Sequence, residues 1–440
     1  MPDLLLDACA ALPVWLADLI LFLVLLAPAV LLGALVLRGF AVGPLLAALL
    51  RRQVWVSVVF VALIAISVGL GAGLIAQERG LRQGTARAAD KFELVVAAPG
   101  SEITAMLAAV YLQPSDLPLI DGETYDRIAS HERVEIVAPL GFGDSWQDAP
   151  VVGTTAEFVE YLSEGLAEGR HFAAKTEAIA GARVPLEIGA RFSPAHGVGD
   201  MAEHGAHGDL EYEVVGRMPL TGSPWDRALL VPVESVWSVH GLANGHGPGW
   251  NGEIGPPFSP EHFPGTPAAL VRADSLAANY GLQAEFSTDT TMAFFPGTVL
   301  ARLHALMGDI RQAMSVLAVI TQVLVTAGVL AGLMMLTRLL ARRLALLRAL
   351  GAPRRFVFAL TWSFAVTLIV AGAALGLLLG VAATRAISAI VTARTDVLVS
   401  AGLAWPELHL VAGFVSLTAF LALLPAFLTM NRPVIRDLRG

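Results

Sequence analysis

Two stretches hold side chains whose types and spacing could do chemistry. The first is Arg342-Arg343-Leu-Ala-Leu-Leu-Arg348-Ala-Leu-Gly351-Ala-Pro-Arg354-Arg355, five arginines within fourteen residues. Guanidinium keeps its charge at any physiological pH, and its planar fork matches paired carboxylate or phosphate oxygens. Leu344, Leu346, Leu347 and Leu350 recur at helical spacing among the arginines, which predicts a short basic amphipathic helix. Its apolar face needs a partner, either lipid headgroups or another protein.

The second stretch is the histidine- and glycine-rich run from His196 to Asp209, with His240 and His246 downstream. Imidazole and carboxylate suit zinc, and a flexible loop could bring His196, Asp200, His204 and His207 together around it. No regular ligand frame accompanies them, and a solvated polar loop accounts for the same residues. Other chemistry finds no support. No Gly-x-x-x-x-Gly-Lys-Ser/Thr occurs, so the chain has no Walker A cradle, and ATP and its magnesium would belong to a partner. Gly153-Thr-Thr lacks the lysine and reads as a turn and helix cap. Ser223 has no nucleophile elbow or zincin motif beside it, so no catalytic residue is expected and the chain is read as a non-enzyme. Trp146, Trp225, Trp237 and Trp250 could line an apolar groove, although core packing is the simpler use.

The elements that would position these stretches follow from hydropathy. The 440 residues are 55% hydrophobic and 15% charged, too apolar for a soluble chain. Runs at 15–37, 53–77, 306–340, 356–383 and 407–430 are each long enough to span a bilayer core. Asp18 lies near the start of the first run and Pro28 inside it; it has neither the basic flank nor the small-residue cleavage site of a signal peptide. Residues 38–52 predict an amphipathic elbow, and 341–355 the basic helix. Residues 78–305 change character. Prolines, glycines and charges alternate there with short strand-like and helix-like runs, which predicts a mixed α/β domain with helical stalks. Gly328 and Gly332, and then Gly372, Gly376 and Gly380, are spaced for close helix packing.

Arginines crowd 38–52, 338–355 and the 431–440 tail, which places these inside. Residues 1–14, the 78–305 domain and the 384–406 connection then lie outside. The arginines at 79–87 run against this rule. Net charge is −8, and no nucleic-acid partner is expected. Cys9 is the single cysteine, so no intramolecular disulfide can form. An external domain without disulfides fits a bacterial envelope protein of the inner membrane, with the domain in the periplasm.

The run Arg342-Arg343 through Leu347-Arg348-Ala-Leu-Gly351-Ala-Pro-Arg354-Arg355, the glycines of the next span, and the elbow Gly43-Pro-Leu-Leu-Ala-Ala-Leu-Leu-Arg51-Arg52 together resemble the MacB/FtsX/LolE class of ABC transporter permeases. The likeness covers about residues 40–440. It departs from the class in two places. Leu344-Ala345 stands where the class often has an acidic residue, and the span at 15–37 is additional to the usual four. The resemblance implies that Arg342, Arg343, Leu347, Arg348, Gly351, Arg354 and Arg355 form a coupling helix that docks on a separate cytoplasmic ATPase. It also implies a second permease copy, an adaptor or lipoprotein partner, and mechanical extrusion or extraction of a hydrophobic, peptide or lipoprotein substrate. Two alternatives stay open: an FtsX-like regulator of an envelope hydrolase, and a metal-linked envelope permease.

Overall fold

A computed structural model describes residues 13–196, 210–339 and 341–430. The chain divides into two units. Of the described residues, a helical unit takes those up to Leu81, Asp309–Ala389 and those from Ser400 on; an α/β unit takes those within Arg82–Gly308 and Ile390–Val399.

The first described helices are α1 (Val14–Leu37), almost uniformly apolar, and α2 (Gly43–Arg52), which has Pro44 in its first turn and ends on Arg51 and Arg52. Proline suits a first helical turn, and basic residues suit the negative end of the helix dipole. Next comes α3 (Val54–Ala89), 36 residues in one helix. At 1.5 Å per residue it is about 54 Å long, well beyond a ~30 Å hydrocarbon core. It continues past 77 as the expected helical stalk, since no proline interrupts it and its glycines pack against neighbours.

The α/β unit builds two sheets. Its elements in order are β1 (Leu94–Ala97), α4 (Glu102–Ala109), α5 (Gly122–Ala129), β2 (Val134–Pro139), β3 (Gly141–Trp146), β4 (Ala149–Thr154) and α6 (Ala156–Ser163). There follow β5 (Glu168–Gly169), β6 (Glu177–Ala180), β7 (Arg191–Phe192), β8 (Ala195–His196), β9 (Tyr212–Arg217), β10 (Leu229–Pro232) and α7 (Val233–Val239). The last are β11 (Ala268–Ala273), α8 (Leu276–Glu285), β12 (Met292–Phe294) and α9 (Pro296–Leu306). One sheet has the order β12-β1-β11-β2 and is antiparallel throughout. The other runs β5-β9-β6-β10-β4-β3-β8 with β7 on β9, and is mixed, β10 pairing parallel to β4 and β6 parallel to β9.

Helix starts are fixed locally. Ser101, Asp121, Thr155 and Ser275 each accept the backbone N–H three residues on, satisfying donors that the first helical turn leaves free. The largest core anchor is Trp225, fully buried between Phe92 and Phe158, with Nε1–H donating to Val110 O at 3.2 Å.

One acidic side chain couples this unit to pH. Glu177 takes a bond from Arg170 Nη1 at 2.8 Å and the N–H groups of Ala173 and Ala174 at 2.7 and 3.2 Å. The Arg170 bond, then the two backbone donors, hold its carboxyl down at about 2 despite partial burial. A depressed carboxylate stabilises the fold above its unfolded value, near 4.5, and loses that contribution as pH falls toward 2. Discounted for solvent screening, the loss is roughly 1–2 kcal/mol. Urea unfolding at pH 5 and pH 3 should show it, and Glu177→Gln should shrink the difference between the two pH values by that amount.

The helical unit resumes with α10 (Gly308–Leu339), α11 (Ala341–Ala349), α12 (Arg354–Thr395), α13 (Trp405–Leu421) and α14 (Leu423–Met430). Among the described residues, Val14–Leu37, Val54–Ala89, Arg354–Thr395 and Trp405–Met430 are long and apolar enough to cross a membrane, and α10 carries a shorter apolar stretch, Val319–Met335. α12 runs past the expected boundary at 383 and stops at Asp396, whose φ of +58° breaks the helix.

Glycine spacing decides how these helices meet. A Cβ on Gly372 would lie 2.6 Å from Ile64 Cβ, and one on Gly376 2.7 Å from Ala65 O. Gly380 and Gly69 approach each other across the same seam, with a Gly380 Cβ position 3.1 Å from Gly69 O. α12 therefore lies against α3 at a distance only glycine permits. Gly332 makes room for the Phe60 ring, whereas the Cβ position of Gly328 has no atom within 4 Å among the described residues.

The N-terminal helix is held by the last span. His409 Nε2 lies 2.9 Å from Asp18 O, and Ser416 Oγ donates to Leu25 O at 2.5 Å. Both steps are seven residues in the same sense, so α1 and α13 run parallel. Trp362 closes the contact, 3.5 Å from the Cβ position of Gly33, and its Nε1–H donates to Ala419 O at 3.0 Å.

Candidate coupling site on the basic helix

The 341–355 stretch is a helix, a stop and a restart, each set by named residues. α11 ends where Gly351 takes a φ of +102°. Gly351 N–H donates to Arg348 O at 3.1 Å and Ala352 N–H to Leu347 O at 3.0 Å, the paired bonds of a Schellman stop. A side chain at 351 would strain that left-handed turn by about 1–2 kcal/mol. Pro353 O then accepts the Phe356 N–H at 3.0 Å and opens α12.

The four leucines do not share a face. Leu344 and Ala345 are buried, and Leu344 joins a core with Val42, Phe60, Val329, Leu333 and Trp362, against which Leu347 and Phe356 also pack. Leu346 is 49% exposed and Leu350 85%. At 100° per residue, positions 344 and 346 are about 200° apart, while 346 and 350 are about 40° apart. That angular split was available in the sequence, and grouping all the leucines on one face overlooks it. Arg342, Arg343, Arg354 and Arg355 are exposed, and Leu347 and Arg348 are half-buried. The helix is thus seated by its back, with Arg342, Arg343, Leu346 and Leu350 turned outward.

The seating explains the departure at Leu344-Ala345. Those are the two buried positions of α11, and a carboxylate there would lose hydration.

The histidine stretch is placed only in part. His196 ends β8, its backbone paired opposite Asp144; Asp200, His204 and His207 lie outside the described residues. Among the described residues, no group of three or more His, Cys, Asp or Glu side chains could hold a metal ion. The downstream histidines pair with carboxylates instead. His240 Nε2 is 3.4 Å from Asp144 Oδ2, whose hydrogen bond raises the imidazole pKa, and His246 Nε2 is 3.4 Å from Glu234 Oε1. The tryptophans serve packing: Trp225 and Trp237 are buried, Trp250 stacks on His246 at 3.9 Å, and Trp146 packs on Phe192.

No family model and no curated protein matches the chain. Among solved structures, the crystal structure of the periplasmic region of MacB from Actinobacillus actinomycetemcomitans aligns at 10% identity and a TM-score of 0.31, covering 50% of this chain and 95% of that one.

Proposed function

We propose that this chain is the membrane subunit of an ATP-driven system of the MacB-like permease type, and that α11 is where a separate cytoplasmic ABC ATPase engages it. The observation that carries this reading is the outward face of α11. Two exposed leucines and two exposed arginines stand on a helix whose back is packed into the helical unit. A helix fixed in this way loses little conformational freedom on binding, and guanidinium forks suit a carboxylate-lined groove. On this reading the 338–355 segment is cytoplasmic, the α/β unit is periplasmic, and the membrane is the bacterial inner membrane. Hydrolysis happens on the partner, two permease copies flank it, and the α/β units act on a hydrophobic, peptide or lipoprotein substrate.

The test is Arg342→Glu with Arg343→Glu in the tagged full-length chain. Wild type purified from its own membranes should carry a Walker A-containing chain and ATPase activity. The double reversal should lose at least about tenfold of both, the scale of a disrupted charge-assisted contact. Undiminished ATPase in the eluate would show that the helix is not the docking element.

A further inference from the structure

Two asparagines of the chain precede glycine, Asn244-Gly245 and Asn251-Gly252. Such a pair is open to an intramolecular reaction. Glycine has no Cβ, so its backbone nitrogen can approach the asparagine carboxamide unhindered. Both pairs lie in the loop between α7 and β11, and the fold treats them differently.

One buried carboxylate fixes this loop on α7. Glu234 is 1% exposed; its Oε1 accepts the Gly255 N–H and stands 3.4 Å from His246 Nε2. Asn251 belongs to the tip between these two anchors, and Asn244 lies before the first of them. The local geometry at the two asparagines is the same. Asn244 Oδ1 accepts the His246 N–H at 3.1 Å, and Asn251 Oδ1 the Glu253 N–H at 3.1 Å. Each is a side-chain turn that folds the carboxamide over the following peptide and polarises its carbonyl. Gly245 and Gly252 share the left-handed region, with φ of +81° and +91°.

The surroundings are opposite. Gly245 is buried, its N–H donates to His262 O at 3.1 Å, and its O accepts the Ser259 N–H at 2.7 Å. A Cβ there would lie 2.8 Å from the Phe258 and Trp237 rings. Asn251 and Gly252 are exposed, and nothing stands within 4 Å of the Cβ position of Gly252. Among the described residues, the Gly252 N–H donates to no acceptor.

We propose that Asn251 is a site of spontaneous deamidation, and that the fold protects Asn244 from the same reaction. The Gly252 nitrogen gives its proton to solvent base and attacks Asn251 Cγ. A new C–N bond forms, the bond to the carboxamide nitrogen breaks, and ammonia leaves. Water then opens the cyclic succinimide at either carbonyl, which yields aspartate or isoaspartate. At Asn244 the attacking nitrogen is held by His262 O, so reaction waits on local opening of the loop. The carboxylate gained at 251 stands next to Trp250, whose ring lies 3.9 Å from buried His246 and 5.6 Å from Lys175 Nζ. The charge therefore changes beside one of the loop's anchors.

The test incubates the full-length chain in detergent at neutral and mildly alkaline pH and maps its peptides by mass spectrometry. In the folded chain, conversion at 251 should outpace that at 244 by at least about tenfold, because 244 reacts only from an opened state. It should quicken with pH and yield both aspartate and isoaspartate. In the chain unfolded with urea and dodecyl sulfate, the two sites should convert within about twofold of each other, since the contacts that distinguish them are gone. Asn251→Gln needs a larger ring and should abolish conversion at this position with an unchanged melting temperature. Equal rates at the two sites of the folded chain overturn the proposal. So does an Asn251 that stays intact in the folded chain, or aspartate as the sole product, since direct hydrolysis makes no isoaspartate. No ATPase enters the experiment, so its outcome is separate from that of the docking test.

Discussion

A chain carrying Gly372→Val and Gly376→Val is expected to lose the folded helical unit. Each new Cβ would fall 2.6–2.7 Å from Ile64 Cβ or Ala65 O, inside any allowed contact. Relief would need α12 to move away from α3 along the whole seam, because the atom facing Gly376 is backbone rather than a movable side-chain tip. Overpacking costs about 1–3 kcal/mol per site, and two adjacent sites on one rigid seam do not relax independently. Membrane helices associate by close packing with little hydrophobic drive, so separated helices have little else to hold them. Two controls isolate the cause. Gly328→Ala meets nothing within 4 Å and should be neutral or gain up to about 1 kcal/mol from better helix propensity. Gly372→Ala alone should cost about 1–3 kcal/mol. Unfolding in mixed detergent followed by circular dichroism checks all three, and a valine double variant as stable as wild type would contradict the seam.

The reach of the sequence can be judged from that same seam. Gly372, Gly376 and Gly380 were legible as a seam because three small residues at a four-residue step line one helix face. Gly328 has the same spacing to Gly332, yet it faces open space. Spacing marks a possible face and cannot say whether a neighbour covers it. Long apolar runs announced the spans, and the stalk that continues α3 was legible too. α12 runs on as a helix to Thr395, where hydropathy is silent. In the α/β unit, strands rich in Val and Leu were visible. β3, Gly-Phe-Gly-Asp-Ser-Trp, looks like a turn by composition, and becomes a strand because β4 and β8 pair with it on either side. β11 is nearly all buried between β1 and β2, so it shows no period-two alternation. Arg79, which seemed to contradict the arginine rule, is bound by buried Glu407, 328 residues away. Such a partner has no local signature.

Leu346→Glu with Leu350→Glu is expected to abolish ATPase engagement while leaving the fold intact, and Leu344→Glu to do the reverse in order of cause. Leu350 is 85% exposed and Leu346 49%, so new carboxylates there stay hydrated. Substitutions at such sites usually fall within about ±0.5 kcal/mol of wild type. At a docking face, however, exposed leucines beside arginines are the residues that lose water on binding. Removing two of them and adding two charges should exceed the roughly 2 kcal/mol that marks a hot spot, about a thirtyfold loss of affinity. Leu344 is 7% exposed, within the core that includes Phe60 and Trp362. Glutamate there would lose packing and place a carboxylate in an apolar core, at a cost of several kcal/mol, so α11 would detach and docking would fail through unfolding. The pair therefore separates a surface used by a partner from one used by the fold. Both variants should lose ATPase co-purification, but only Leu344→Glu should lower the melting temperature, if the outward face is the coupling surface. If the outward double variant keeps its ATPase, the exposed leucines serve lipid contact, and the arginines of 342–355 lose their assigned partner.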